Sequence, residues 1–330
     1  MDDLLKFASR LADVRPEYAS SRCLAVRQSP AACTRCADVC PHDAVTVRGR
    51  GVEIDEVDCS GCGLCVQACP SGALEPKVRY DPGRPVKCSE VDGDAQTVHC
   101  LGRLQPTDLH RLLRGRSTLI LAHGDCATCP IGGQAVLDAI HAVADDARAL
   151  LALRGGEGEI RVEAREHLDD EETQERVSRR ALLRGGWRGL ASGASEVLAP
   201  LDPGGVEGEM PLEAARRWRA LELADLADDT PVPWPLPVVD DACILCPVCT
   251  RVCPTDAFSR TFDDDGGGAL WLEPSSCVGC DACVGACPVN AIAMEPTPTW
   301  GDAGGGTREA YRKPGRDAAA GTVARDDGGA

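Results

Sequence analysis

Residues 59–70 read CSGCGLCVQACP: Cys59, Cys62, Cys65 and Cys69, closed by Pro70. The same C-x2-C-x2-C-x3-C-P spacing returns at Cys243, Cys246, Cys249, Cys253 and Pro254, and again at Cys277, Cys280, Cys283, Cys287 and Pro288. A variant precedes the first run: Cys23, then Cys33, Cys36, Cys40 and Pro41, with Pro30 where the first cysteine would stand. Three closely spaced thiolates wrap three corners of an iron–sulfur cube, and the cysteine after the x3 gap points away to close a second cube. Proline then ends the loop. The spacing therefore implies iron–sulfur clusters and the movement of electrons. Structural zinc usually shows paired C-x2-C knuckles rather than triplets closed by Cys-Pro. A disulfide framework needs an oxidising compartment, and the charged start MDDLLKFASRLADVRPEY does not read as a secretory signal.

Around these residues, at about 20–80 and 238–298, the chain resembles the bacterial-type dicluster ferredoxins, twice over. The resemblance implies compact modules with pseudo-twofold symmetry around two [4Fe–4S] clusters each. The expected ligand sets are crossed. Cys59, Cys62 and Cys65 join Cys40; Cys23, Cys33 and Cys36 join Cys69. In the second module Cys243, Cys246 and Cys249 join Cys287, and Cys277, Cys280 and Cys283 join Cys253. If Cys23 does not reach, its site becomes a labile or three-iron cluster. Local patterns agree with small modules. Ala44–Val47 and Val52–Ile54 flank a Gly49-Arg50-Gly51 turn, and Ala257–Arg260 and Ala269–Leu272 flank an Asp/Gly turn at 263–268; both read as hairpins.

Of the 20 cysteines, Cys88, Cys100, Cys126 and Cys129 remain. Their surroundings read as a small α/β unit: strands near 85–88, 97–100, 118–122 and 159–162, helices over 106–114 and 134–153. Ligand sites in such units form beyond the carboxyl ends of parallel strands, where all four cysteines fall. The segment VHCLGRLQPTDLHRLLRG…LILAHGDCATCPIGG, within residues 84–165, is similar to the delta subunit of methyl-viologen-reducing hydrogenase and to heterodisulfide reductase-associated iron–sulfur domains. That resemblance implies a further cluster at these cysteines, [2Fe–2S] or [4Fe–4S]. The chain departs from the pattern: Ser89-Glu90 follows Cys88, and Cys126 and Cys129 stand closer together than usual. Structural zinc and unligated thiols are the alternatives. His99 and His123 flank the cysteines as substitute ligands or as ordinary strand-end residues.

The expected class is α+β, two ferredoxin-like dicluster modules (20–82 and 237–298) flanking a small α/β parallel-sheet domain (83–166) and a helical linker (167–236). An N-terminal helix (1–19) and a disordered tail (299–330) complete it. Aromatics are 3% of the 330 residues, so apolar cores are modest and cluster ligation must help to hold the modules. A net charge of −17 argues against nucleic acid and against an anionic membrane face. No apolar run approaches the ~20 residues of a membrane span, and the expected location is the cytoplasm. Arg179-Arg180 lies mid-chain, which speaks against twin-arginine export.

Gly61, Gly63 and Gly279 should let the ligand loops turn tightly enough to aim backbone amides at sulfur. Pro247 lacks an amide hydrogen and is expected to lower the potential of its cluster. Arg35 and Arg251 beside the ligand loops either raise potentials or are merely solvated. No dinucleotide fingerprint, P-loop or nucleophile elbow is present. The function expected is a multi-cluster electron-transfer protein or subunit serving a partner oxidoreductase of molybdopterin, flavin or hydrogenase type. The expected route enters at one ferredoxin module, passes the central domain and leaves at the other. The alternatives are an assembly factor for such a partner and a heterodisulfide-type reductase subunit.

Overall fold

The computed structural model describes residues 14–49, 51–170 and 210–315. The first module starts with strand β1 (Glu17–Tyr18), followed by short helices α1 (Leu24–Arg27) and α2 (Arg35–Asp38). Hairpin β2 (Val45–Arg48) and β3 (Gly51–Ile54) follows, then α3 (Leu64–Gln67) and β4 (Leu74–Glu75). β4 returns antiparallel to β1, with Tyr18 opposite Leu74. The expected N-terminal helix is corrected over its described part: residues 17–18 are extended because β4 offers them a partner, and residues 1–13 lie outside the described residues.

The central domain is a four-stranded sheet ordered β6-β5-β7-β8, parallel throughout. Its strands are β5 (Val86–Cys88), β6 (Gln96–Val98), β7 (Thr118–His123) and β8 (Glu159–Ala164). Helix α4 (Pro106–Leu113) precedes β7, and α5 (Gln134–Leu153) joins β7 to β8. Leu109, Leu112, Leu119, Leu121, Ile140 and Ala144 meet between helices and sheet. The alternation of apolar positions along both helices makes one stripe, which is the side they bury.

Helix α6 (Leu212–Glu222) ties the halves together. Its Arg216 pairs with Asp108 of α4 at 3.2 Å. Asp108 also accepts Tyr80 Oη–H at 2.5 Å and the Gln105 amide at 3.0 Å, closing a capping box. Asp108→Ala strips three donors of their acceptor and removes a cap, so about 3 kcal/mol of stability should go; a denaturant midpoint unchanged from the parent would refute this.

On its other side α6 packs Trp218 against Trp234 and Trp300, ring centroids 5.2 and 5.6 Å apart. The stretch 223–236 is not helical, and 171–209 of the expected helical linker lies outside the described residues. Residues 166–168 instead return to the central sheet: the Asp92 amide donates to Glu166 O at 2.9 Å, and Leu168 is fully buried.

Glu213 of α6 accepts the Thr107 amide at 3.1 Å and the Thr107 hydroxyl. Burial pushes its carboxyl up from 4.5 to about 7. The folded chain therefore holds this proton more tightly than the unfolded chain. That contribution is complete below pH ~4.5 and is lost as pH rises through ~7. Glu213→Gln should accordingly stabilise the protein at pH 8 by about 2 kcal/mol and leave it unchanged at pH 4.5. Equal gains at both pH values, measured by denaturant unfolding, would remove the ionisation argument.

The second module repeats the first. β9 (Leu236–Val239) is followed by α7 (Val248–Val252), hairpin β10 (Phe258–Phe262) and β11 (Gly268–Leu272), α8 (Ala282–Ala286) and β12 (Ile292–Glu295). β12 returns antiparallel to β9, as β4 does to β1. The expected disorder from 299 onward is corrected in part. Helix α9 (Trp300–Gly304) is capped by the Thr299 hydroxyl, and β13 (Arg308–Lys313) adds a third strand beside β11. Trp300 packs on Trp218, and β13 satisfies the open edge of β11, so this segment has reasons to order. Residues 316–330 lie outside the described residues.

Candidate iron–sulfur sites

Three of the four ligand loops, those starting at Cys59, Cys243 and Cys277, pass through the left-handed region. Gly61, Gly63 and Gly279 have φ of 70°, 90° and 67°, and Leu245 and Asp281 do the same at 57° and 61°. A left-handed residue one or two places after a cysteine turns the i+2 amide back onto that sulfur. The Leu245 amide lies 3.5 Å from Cys243 Sγ. The amides of Leu64, Gly279 and Ala282 reach Cys62, Cys277 and Cys280 in the same i+2 relation. Pro247 stands one place after Cys246, outside this pattern, so the geometry gives it no missing donor of that kind.

A second device follows each fourth cysteine. Asp43, Gly72, Asp256 and Asn290 all have φ between 52° and 61°, three residues after Cys40, Cys69, Cys253 and Cys287. The next residue is alanine every time: Ala44, Ala73, Ala257 and Ala291, each nearly fully buried. Its amide donates to the preceding cysteine at 3.2 Å for Ala73 to Cys69 and Ala257 to Cys253, and at 3.3 Å for Ala291 to Cys287. The signature C-P-x-[D/G/N]-A, a signal beyond the cysteine spacing, stands in all four runs. Asp, Gly and Asn are the residues that tolerate the left-handed turn, and alanine is what fits behind it.

The structure brings the crossed sets together. Cys40, Cys59, Cys62 and Cys65 line one cavity. Cys253, Cys277, Cys280 and Cys283 line another. Cys36 feels the charges of Cys69, Cys33 and Cys23, and Cys23 is buried beside Cys69. Cys243 feels Cys246 and Cys287, and Cys249 feels Cys246 and Cys243. Cys23 thus lies near Cys36 and Cys69 across the longer gap, with α1 and the turn at 30–32 bringing the chain back.

Crowding thiols away from water disfavours their charged form. Burial first, then neighbouring cysteines, pushes Cys65 up to about 12 and Cys36 to about 11. Burial likewise raises Cys277 to about 12, despite the Gly279 amide. Such pockets want positive charge inside them, and cluster iron supplies it while displacing the protons. The donor sets therefore fit iron–sulfur clusters.

Cys88, Cys100, Cys126 and Cys129 also line a single cavity, with His99, His123 and Ser89 on its wall. Burial, then the charges of Cys88 and Cys129, raises Cys126 to about 11; burial raises Cys100 to about 12. The Gly124 amide lies 3.4 Å from Cys88 Sγ. Both histidines are engaged with backbone: His99 Nε2 meets Ser60 O at 2.8 Å and His123 Nδ1 meets Gly124 O at 2.7 Å.

The sites are not arranged in the expected order. The central domain does not separate the two modules. Leu24 of α1 packs on Val252 and Ala282 of α7 and α8, with Cys33 and Cys280 at the edge of that contact. Gln28 Nε2 donates to Ala282 O and Arg27 Nη1 to Arg251 O, both at 3.2 Å. Arg251 serves this contact through its carbonyl. The order was illegible because the contact joins residues far apart in the chain through a small apolar patch with no local pattern.

Residues 31–73 and 242–291 match the 4Fe-4S dicluster domain. Among curated relatives, a protein named for electron transport, YsaA of Escherichia coli (strain K12), is 33% identical over 86 residues, covering 24% of this chain and 55% of its own. The formate dehydrogenase iron-sulfur subunit of Wolinella succinogenes is 34% identical over 85 residues, 24% of this chain and 42% of its own. The electron transport protein HydN of Escherichia coli (strain K12) is 49% identical over 45 residues, 13% of this chain and 25% of its own. The chain thus spans about half the length of the first two relatives. No solved structure matches. Among the described residues no helix is long and apolar enough to cross a membrane. Twice over, then, the chain carries the 4Fe-4S dicluster domain, and the relatives above are named as electron-transport proteins and an iron-sulfur subunit.

Proposed function

We propose that the chain is an electron-transfer relay subunit serving a partner oxidoreductase in the cytoplasm. The crossed quartets hold four [4Fe–4S] clusters, which accept and pass on one electron each when present. The observation that carries this reading is the gathering of the ferredoxin-type cysteines into crossed sets around shared sites, with backbone amides turned onto their sulfurs. Relatives named as formate dehydrogenase and hydrogenase components support a partner of that kind.

Cys88, Cys100, Cys126 and Cys129 hold a further cluster. What supports this is that the four cysteines line one cavity, with the Gly124 amide 3.4 Å from Cys88 Sγ. The protein's own part is to exclude water, hold the thiols and donate amide hydrogen bonds that stabilise the reduced state. The test is anaerobic isolation with any co-purifying enzyme, then reduction by that enzyme's substrate. Bleaching of the iron–sulfur absorption near stoichiometry is expected; a chain that binds only the immature apo-enzyme and never bleaches would make it an assembly factor.

A further inference from the structure

The proposed clusters leave open which cysteine sites are neighbours and where electrons come and go. We infer that the five sites form one unbranched series in which the central four-cysteine site is an end. The series runs from Cys88/Cys100/Cys126/Cys129 to Cys40/Cys59/Cys62/Cys65, then Cys23/Cys33/Cys36/Cys69, then Cys253/Cys277/Cys280/Cys283, and ends at Cys243/Cys246/Cys249/Cys287. This rests on the cluster reading above.

Each link has its own contact. At the first, Cys100 feels the charge of Cys62. A Cβ placed on Gly102 would stand 2.7 Å from Cys62 O and 3.7 Å from Cys100 Sγ, so this backbone fills the gap between the two sites. His99, next to Cys100, reaches Ser60 O between Cys59 and Cys62, and the Ser60 hydroxyl donates to Ile131 O, just past Cys129, at 2.6 Å. At the second link Cys36 and Cys65 share one buried cluster, with Cys40 and Cys69 against it. The third is the contact of the modules, where Cys33 and Cys280 border Leu24, Val252 and Ala282. At the fourth, Cys249 and Cys283 share one buried cluster, with Cys243 and Cys287 against it.

Among the described residues no shortcut joins the central cysteines to the second module. The central domain does touch that half, but through Leu150 and Leu153 near the last turn of α5. Cys129 lies just before the first turn, and twenty residues of helix span about 30 Å. Electron tunnelling falls steeply with distance, so passage by the cysteine contacts wins over a jump along α5.

Both ends reach solvent. Asp125, Ala127 and Thr128 are exposed around Cys126, and Ala242 and Ile244 are exposed around Cys243. A one-electron donor protein at one end and an acceptor protein at the other complete the balance: the donor loses the electron the acceptor gains, and each site returns to its starting state.

The test compares spin relaxation by EPR in the photoreduced full-length protein and three variants, C126S/C129S, C59S/C62S and C277S/C280S, with iron counted in each. C126S/C129S should lose about two to four irons. It should slow the relaxation of one remaining signal only, the one missing from C59S/C62S. A change instead in the signal missing from C277S/C280S, or in two signals at once, overturns the order. Unchanged iron in C126S/C129S overturns the end assignment and leaves the four-cluster relay standing; a parent protein without iron sinks the relay itself. Where a double variant does not fold, Cys126→Ser alone, at the exposed turn, is read in the same way.

Discussion

Cys283→Ala should remove about four irons per chain and unfold much of the second module. Cys283 is a crowded thiol: burial and then Cys277, Cys280 and Cys253 hold it far above its ordinary value. It also sits in the apolar cluster with Leu270, Leu272 and Phe258. The module's strands are four or five residues long and its helices five. Elements that short are marginal alone. A cluster that ties loop 277–283 to Cys253 therefore supplies stability that packing does not. The check is iron content together with proteolysis. Parental iron and a protease-resistant second module would show that Cys283 is no ligand.

Gly63→Val should detach the central domain's cysteine edge from the first module. Gly63 sits at φ 90°, where a β-branched residue is strongly disfavoured. A Cβ there would collide with Gly102 O and stand 2.8 Å from Arg103 Cα, and both are backbone that cannot swing aside. Left-handed strain and overpacking together should cost about 3 kcal/mol or more. The clash falls on the gap between Cys62 and Cys100, so the loss should be local. Hydrogen exchange should quicken in residues 99–104 and 131–136, and exchange in the second module should stay as it was. Uniformly faster exchange would mean that Gly63 supports the whole fold rather than this junction.

Much of this was legible in the chain. The C-x2-C-x2-C-x3-C-P spacing is local chemistry, because three corners of a cube must be reached within seven residues, and it placed both modules. Hairpins β2–β3 and β10–β11 follow from β-branched or aromatic runs broken by Gly or Asp-Gly turns. The central sheet and the 134–153 helix followed from periodicity. Where the reading failed, the deciding partner was distant. Tyr18 is extended because Leu74 pairs with it, and Arg308–Lys313 is a strand because β11 had an open edge. The Gly-rich, aromatic-poor composition after 299 hides Trp300, whose packing on Trp218 anchors the segment. The contact of Leu24 with Val252 and Ala282 left no trace in either local sequence. That contact is what moves the central cysteines from the middle of the series to its end.

The most direct measurement is iron and acid-labile sulfide per chain in anaerobically isolated protein, with zinc counted in the same sample and EPR of the reduced state. An iron–sulfur relay with an occupied central site predicts about eighteen to twenty irons, matching sulfide, no zinc and several interacting cluster signals. Zinc in place of iron at the ferredoxin-type cysteines, or a reduced sample with no cluster signal, would contradict it.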